Sequence, residues 1–344
     1  MNIEKQVLGL IELGDYIKEF LAKNPEGYSD NDLDFELLLK KSEIENPWFT
    51  IDNQKFALQQ WSGLLTEENI KNWLKDYSIS KITKRVGLIL AGNIPLVGFH
   101  DVISVVLSNH IPVIKLSSKD KYMVPFLLKK WKEFSDDQVD YEFVERLKDF
   151  DAVIATGSNN TARYLEYYFK NSLSIIRKNR TSAAVLKGDE TPEELQLLAK
   201  DIFQYFGLGC RNVTRIFIPD DFLIDRLFES FIEYKDIINH NKYANNYDYN
   251  RAVFLLNQDK FWDNNFVMLK EDDKLFSPLS VVHFSRYSSL DDVKNFIAEN
   301  GESIQCIVAK EELGLDSIGF GEAQNPGLNT YADNVDTMKF LELV

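Results

Sequence analysis

The spacing of apolar positions changes character along the chain. Across residues 1–80 they recur irregularly among polar ones, with Leu37-Leu38-Leu39 followed by a Lys-Lys pair and then Trp48, Phe49, Phe56, Trp61 and Leu64. This reads as helices and turns without a catalytic pattern. From Lys81 short apolar runs alternate with amphipathic ones. Val86 to Ala91 predicts a buried strand, Pro95 to Asn109 a helix whose first turn tolerates proline, and Ile111 to Leu116 a second strand, together a βαβ unit. Met123 to Phe134 predicts a further helix, Ala152 to Ala155 a strand, and Thr161 to Phe169 a helix after the turn Gly157-Ser158-Asn159. Such alternation implies a parallel sheet with right-handed crossovers.

A sharp helix start follows at Thr191, where Thr-Pro-Glu-Glu supplies a capping hydroxyl, a first-turn proline and Glu194 three residues on. Leu195, Leu198, Ile202, Phe203 and Phe206 form its apolar face, and Gly207 is a natural left-handed stop. Leu208-Gly209-Cys210-Arg211-Asn212 then leads into a strand from Val213 to Ile218, which puts Cys210 in a tight loop between helix and strand. No internal repeat or linker-like segment shows, and Glu271-Asp272-Asp273 reads as a solvated turn.

Length, charge and cysteine content narrow the class. A chain of 344 residues has room for two domains or one large one. Lys and Arg number 39 against 54 Asp and Glu, net −15, so nucleic acid and anionic lipid surfaces would be repelled. Cys210 and Cys306 are too few for a disulfide framework and suit a reducing compartment. The N-terminus lacks a signal-peptide pattern, and Val86 to Leu116 is interrupted by too many polar groups for a spanning helix; the expected location is cytoplasmic. His100, His110, His240 and His283 lack partners at ligand spacing, so no metal is expected. Neither a P-loop nor a complete Rossmann glycine fingerprint occurs.

A cysteine next to glycine can attack an acyl carbonyl while its own N–H donates to the developing oxyanion, and Arg211 can favour the thiolate. The preceding helix C-terminus opposes that charge, and a buried structural thiol remains an alternative. Cys306 lies in the apolar run Cys306-Ile-Val-Ala309 and reads as structural. Three predicted strand ends carry polar groups: Leu88-Ile-Leu-Ala-Gly-Asn-Ile-Pro-Leu96, Val113-Ile-Lys-Leu-Ser-Ser118 and Ala155-Thr-Gly-Ser-Asn159. They should share one edge of a parallel sheet, where open α/β sheets bind ligands.

Those segments, followed by the glycine-flanked cysteine, resemble the Asn-Phe-Pro, Lys-Pro-Ser-Glu, Thr-Gly-Ser and Gly-Gln-x-Cys blocks of the aldehyde dehydrogenase superfamily. Further blocks are similar to the bacterial luminescence (LuxC-type) acyl-CoA reductases, which make aldehydes from fatty acyl thioesters. They are Gly92-Asn-Ile-Pro-Leu-Val-Gly-Phe-His-Asp101, Phe206-Gly-Leu-Gly-Cys-Arg-Asn-Val213, Gly321-Glu-Ala-Gln-Asn-Pro with Tyr331-Ala-Asp-Asn-Val-Asp336, and Asn46-Pro-Trp-Phe-Thr50. The resemblance covers essentially the whole chain. It implies an aldehyde-dehydrogenase-like α/β fold: a Rossmann-type nucleotide-binding domain over 1–180, helical in 1–80, a second α/β catalytic domain over 181–320, and a tail, 321–344, returning to the first.

The same resemblance implies the site. Cys210 would be the nucleophile and Asn93 would hold its amide toward the thiohemiacetal oxygen. Lys115 would hold the adenosine ribose, with Ser117 and Ser118 nearby, and Thr156, Gly157 and Ser158 would meet the pyrophosphate at a helix start. On the residues alone, Asn93 as a helix cap and Lys115 as an exposed strand-end lysine stay open. Ile176-Arg-Lys-Asn-Arg-Thr181 lacks the glutamate of hydrolytic members, which favours reduction over hydrolysis of an acyl-enzyme. Ser118 replaces the glutamate of NAD-selective members, so NADPH is the expected cofactor, with NADH also allowed. Lys274 stands where the superfamily usually has a glutamate for the nicotinamide ribose. The implied substrate is an acyl thioester of CoA or a carrier protein, and the implied assembly a homo-oligomer. An acyltransferase or thioesterase working through the same acyl-Cys210, and a non-catalytic partner subunit, are the competing readings.

Overall fold

Hydroxyl and amide side chains open the helices of the first eighty residues. Asn2, Ser29, Thr50 and Thr66 accept N–H groups at the starts of α1 (Ile3–Ala22), α2 (Asp30–Glu45), α3 (Ile51–Leu64) and α4 (Glu67–Leu74). Strand β1 (Arg85–Ile89) follows, then α5 (Phe99–Leu107), β2 (Ile111–Lys115), α6 (Met123–Phe134), β3 (Glu142–Phe143), β4 (Ala152–Thr156), α7 (Asn159–Tyr168) and β5 (Leu173–Arg177). Next come β6 (Thr181–Val185), α8 (Pro192–Phe203), β7 (Val213–Pro219), α9 (Asp225–Phe231) and α10 (Asn241–Asn257). The chain ends with β8 (Trp262–Asp263), β9 (Met268–Glu271), β10 (Val281–Tyr287), α11 (Leu290–Asn300), β11 (Ile304–Ala309) and α12 (Thr337–Leu341).

The structure is a computed structural model describing residues 2–344. The chain forms two units, one running up to Lys178 and joined by Gly327–Val344, the other Asn179–Pro326. No helix among the described residues is long and apolar enough to cross a membrane.

In the first unit a five-stranded sheet has the order β3-β2-β1-β4-β5, with every pair parallel. The chain steps from β1 outward through β2 and β3, then restarts at β4 on the other side of β1. The C-terminal ends of β1 and β4 therefore flank the switch point where such sheets leave a crevice. Helix α5 is buried nearly all round, with Val102, Ile103, Val105, Val106 and Leu107 at 0% exposure. Each such side chain contributes roughly 2 kcal/mol of burial.

The proposed helix start at Pro95 is corrected to Phe99. Leu96 takes a left-handed φ of 58°, which no helical turn accommodates. Gly98 then passes so close to Leu90 that a Cβ there would lie 2.8 Å from a leucine methyl. The other predicted elements of this unit are present, with ends displaced by one or two residues.

The terminal segment is fastened to the first unit by buried polar pairs. Trp73 Nε1 donates to the Tyr331 hydroxyl at 2.7 Å, Tyr331 donates to Tyr77 at 2.8 Å, and Tyr77 donates to Asp336 at 2.9 Å. Arg177 pairs with Asp101 and donates to Thr337, while His100 and His110 bond the backbone oxygens of Leu328 and Leu341. Burial holds both histidines below the ordinary imidazole pKa, so these are neutral packing groups.

The second unit holds a six-stranded sheet ordered β11-β6-β7-β10-β9-β8, parallel except for the β8–β9 pair. Its core gathers Leu195, Leu198 and Ile202 of α8 with Val213, Ile216 and Ile218 of β7 and Phe284 of β10. Helix α8 begins as predicted, with Thr191 and Glu194 forming a capping box around Pro192. It ends earlier than Gly207: Phe203 is the last helical residue, and Phe206 leaves the predicted apolar face. Residues 321–326 stay in the second unit because Asp201 accepts the N–H groups of Gly321 and Ala323 at 2.7 and 2.9 Å.

Candidate active site

Cys210 lies in the turn between α8 and β7, at the N-terminal edge of the second sheet. Tyr205, Phe206 and Gly207 have φ of 55°, 59° and 77°, three successive left-handed residues that swing the chain off the α8 axis. For the two aromatic residues this conformation costs about 1 kcal/mol each. Packing offsets it, because Tyr205 is 6% exposed and the Phe206 ring lies 4.3 Å from that of His240.

Asn212 holds the turn. It is fully buried. Its Oδ1 accepts the Gly209 N–H at 2.7 Å, and its backbone N–H donates to Gly209 O at 3.1 Å. Its Nδ2 faces the carbonyls of Asp201, Ile202 and Gln204 at 2.9 to 3.2 Å. Those are carbonyls of the last turn of α8, so the amide covers the negative pole of the helix that would otherwise oppose a thiolate at Cys210.

Strand β6 closes the turn from the other side. The Ser182 hydroxyl donates to Cys210 O at 3.2 Å and meets Cys306 Sγ at 3.1 Å. Ser182 N and Thr181 Oγ1 donate to Asn212 O. Register shifts on both sides of Ser182, in its pairing with β11 and with β7, make room for these contacts. Cys210 is partly exposed. Burial pushes the Cys306 thiol up, in keeping with a structural thiol. Arg211 Nε donates to Ala323 O, which ties the turn to the 321–323 segment on Asp201. Burial raises the Asp201 carboxyl to about 6 although two N–H groups pull it down.

In the first unit the proposed nucleotide residues share one edge. Asn93 follows β1, Lys115, Ser117 and Ser118 end β2, and Thr156, Gly157 and Ser158 end β4. Lys115, Ser118 and Ser158 are exposed, and Asn93, Ser117, Thr156 and Gly157 are half-buried. The backbone at Gly92 presses on the β2 loop: a Cβ there would sit 2.7 Å from Ser117 Cβ. Residues 91–95, 115–119 and 156–160 contain no carboxylate, and the next acid after the β2 end is the buried Asp120. The helix start offers fewer N–H groups than expected, since Gly157 N donates to Arg177 O at 3.1 Å and Ser158 Oγ caps Thr161 N.

Lys274 sits in the loop after β9 in the second unit. Its carbonyl accepts from Arg215 at 2.9 Å and from His283 at 3.0 Å, while its side chain is exposed. Sequence reasoning missed Asn212, Ser182 and Asp201. Only Asn212 left a signal, in being part of the Cys210 block.

A five-stranded parallel sheet with a switch point, joined to a unit that carries a cysteine before its second strand, is the architecture of the aldehyde dehydrogenases. An oxidoreductase from Marinobacter aquaeolei matches with a TM-score of 0.64 at 12% identity over 98% of this chain and 82% of that one. An NAD+ complex of an aldehyde dehydrogenase from Bacillus cereus gives 0.60 at 13% identity, over 93% and 75%. An NADP-dependent enzyme from E. coli gives 0.62 at 10% identity, over 92% and 77%. These likenesses establish an aldehyde-dehydrogenase-like fold. The sequence model of the family described as Acyl-CoA reductase (LuxC) matches residues 67–315, and the chain belongs to that family. It is an enzyme of the acyl-CoA reductase and aldehyde dehydrogenase type. No curated protein matches the chain.

Proposed function

We propose that this enzyme reduces fatty acyl thioesters to aldehydes through an acyl-Cys210 intermediate. The observation that carries this reading is the family match over residues 67–315, a span that includes Asn93, Lys115, Thr156 and Cys210 in the order of the family's blocks. The Cys210 thiolate attacks the thioester carbonyl, the carrier thiolate leaves, and a new thioester joins the acyl group to Sγ. Asn93 donates its side-chain N–H to the carbonyl oxygen as negative charge develops there. Asn212 supports the nucleophile by covering the α8 carbonyls. Between Ile176 and Thr181 there is no carboxylate to activate water, and Arg177 and Arg180 there bind Asp101 and Ile304 O. The acyl-enzyme is thereby protected from hydrolysis.

A nicotinamide nucleotide, when bound, supplies the hydride that converts the thioester to the aldehyde level. Lys115, Ser117 and Ser118 hold its adenosine ribose, and Thr156, Gly157 and Ser158 its pyrophosphate. The absence of a carboxylate at position 118 suits NADPH, whose 2′-phosphate a glutamate would repel. Loss of reduced-nicotinamide absorbance across acyl-CoA chain lengths, with NADPH and NADH in parallel, tests the reading. Chain-length-dependent oxidation with aldehyde formation is expected. Thiol release that proceeds to free acid without any nucleotide would replace it by a thioesterase.

A further inference from the structure

The loop carrying Asn93 is not self-supporting. Between Gly92 and the start of α5 at Phe99 it contains Leu96 in a left-handed conformation that leucine rarely adopts, with the Leu96 side chain 1% exposed. Its backbone N–H points away from any helical partner and donates instead to the Asp120 carboxylate at 3.1 Å. Asp120 is itself 4% exposed. It closes a tight turn on Ser117, whose carbonyl accepts the Asp120 N–H at 3.3 Å, and Lys119 N donates to Ser117 Oγ at 3.2 Å. The buried Asn46 amide reaches Lys119 O at 3.2 Å from the helical layer. Ser117 is the residue against which Gly92 is pressed.

One buried carboxylate thus bonds the Asn93 loop while belonging to the loop of Lys115, Ser117 and Ser118. We infer that Asp120 is a positioning residue for the reduction, fixing the Asn93 carboxamide through Leu96 and linking its placement to the nucleotide edge. The inference rests on the roles given above to Asn93 and to that edge. Burial pushes the Asp120 carboxyl up to about 6, with the N–H groups of Leu96 and Met123 drawing it back, so near neutral pH it is largely an anion and a strong acceptor. The bond to Leu96 ties the Asn93 loop to the turn at Ser117 through one side chain.

The test is a double-mutant cycle on hydride transfer with Asn93→Ala and Asp120→Ala, with Asp120→Asn as the conservative variant and thermal melts of each. Asp120→Ala is expected to lower kcat about tenfold or more while raising KM for the nucleotide only a few-fold. Asp120→Asn, which keeps an acceptor, should recover most of kcat. In the Asn93→Ala background, Asp120→Ala should cost less than twofold. An equal loss in both backgrounds, or no loss in the wild-type background, overturns the inference while leaving the role of Asn93 intact. If Asn93→Ala itself does not slow reduction, the role of Asn93 falls, and the Asp120 inference with it. Should Asp120→Ala fail to fold, Asp120→Leu, of similar size but without an acceptor, takes its place in the cycle and the same outcomes decide.

Discussion

Asn93 and Cys210 both sit on short loops next to a parallel strand, and the two loops are built differently. The Asn93 loop follows β1, at a C-terminal strand edge, and takes its support from Asp120, a charged residue 27 positions on in a different loop. The Cys210 turn precedes β7, at an N-terminal edge, and takes its support from Asn212, a neutral residue two positions away within the turn. The Cys210 turn is thus locked by Asn212 and by β6, whereas the Asn93 loop is held from the β2 end. A device of the first kind fixes the Cys210 turn from within the turn itself. The second kind makes the placement of Asn93 depend on the loop that follows β2.

The largest expected effect is at the nucleophile: Cys210→Ser should lower acyl-CoA reduction by about three orders of magnitude or more, measured as aldehyde formed, with the melting profile unchanged. Next is the support of the turn. Asn212→Ala strands the Gly209 N–H and three carbonyls, and should cost roughly 3 kcal/mol of stability by urea unfolding. Asn212→Asp should be worse near pH 7 than near pH 4, because its charged form faces those same carbonyls. Equal stability of Asn212→Ala and wild type would remove the contrast between the loops.

The buried carboxyls give a signal of similar size that depends on pH. Asp120 and Asp201 are both raised to about 6 from 3.8, so between these values the folded protein binds more protons than the unfolded chain. Their contribution is most favourable below about pH 4 and declines as pH rises through 6, each on the order of 3 kcal/mol. Asp120→Asn should flatten that part of the stability profile, read by unfolding at a series of pH values. Ser118→Glu should raise KM for NADPH about tenfold and that for NADH less, in initial-rate assays. Smallest, Tyr331→Phe should cost about 1 kcal/mol by breaking the Trp73–Tyr331–Tyr77 relay, with no change in KM.

Local features were the legible ones. The start of α8 was readable because cap, proline and glutamate lie within four residues, and β1, β2 and β4 announced themselves as apolar runs, whereas the edge strands β3 and β5 of the first sheet did not. Leu96 and the Tyr205–Gly207 segment were not, since a left-handed leucine, tyrosine or phenylalanine is imposed by distant packing and leaves no pattern in the chain. Asp120 and Asp201 look like ordinary surface acids until the fold buries them. The role of Tyr331 and Asp336 needed partners more than 250 positions earlier. Cys210 was legible as a candidate through its block, while Asn212 gains meaning only when the α8 carbonyls are seen to converge on it.

The most direct test of the central claim is intact-protein mass spectrometry after mixing the enzyme with a long-chain acyl-CoA and no nucleotide. The account predicts one acyl group on Cys210 with stoichiometric release of CoA, absent in Cys210→Ala, and discharged as aldehyde when NADPH or NADH is added. Aldehyde formation by an enzyme that never carries the acyl group, or undiminished reduction by Cys210→Ala, would contradict it.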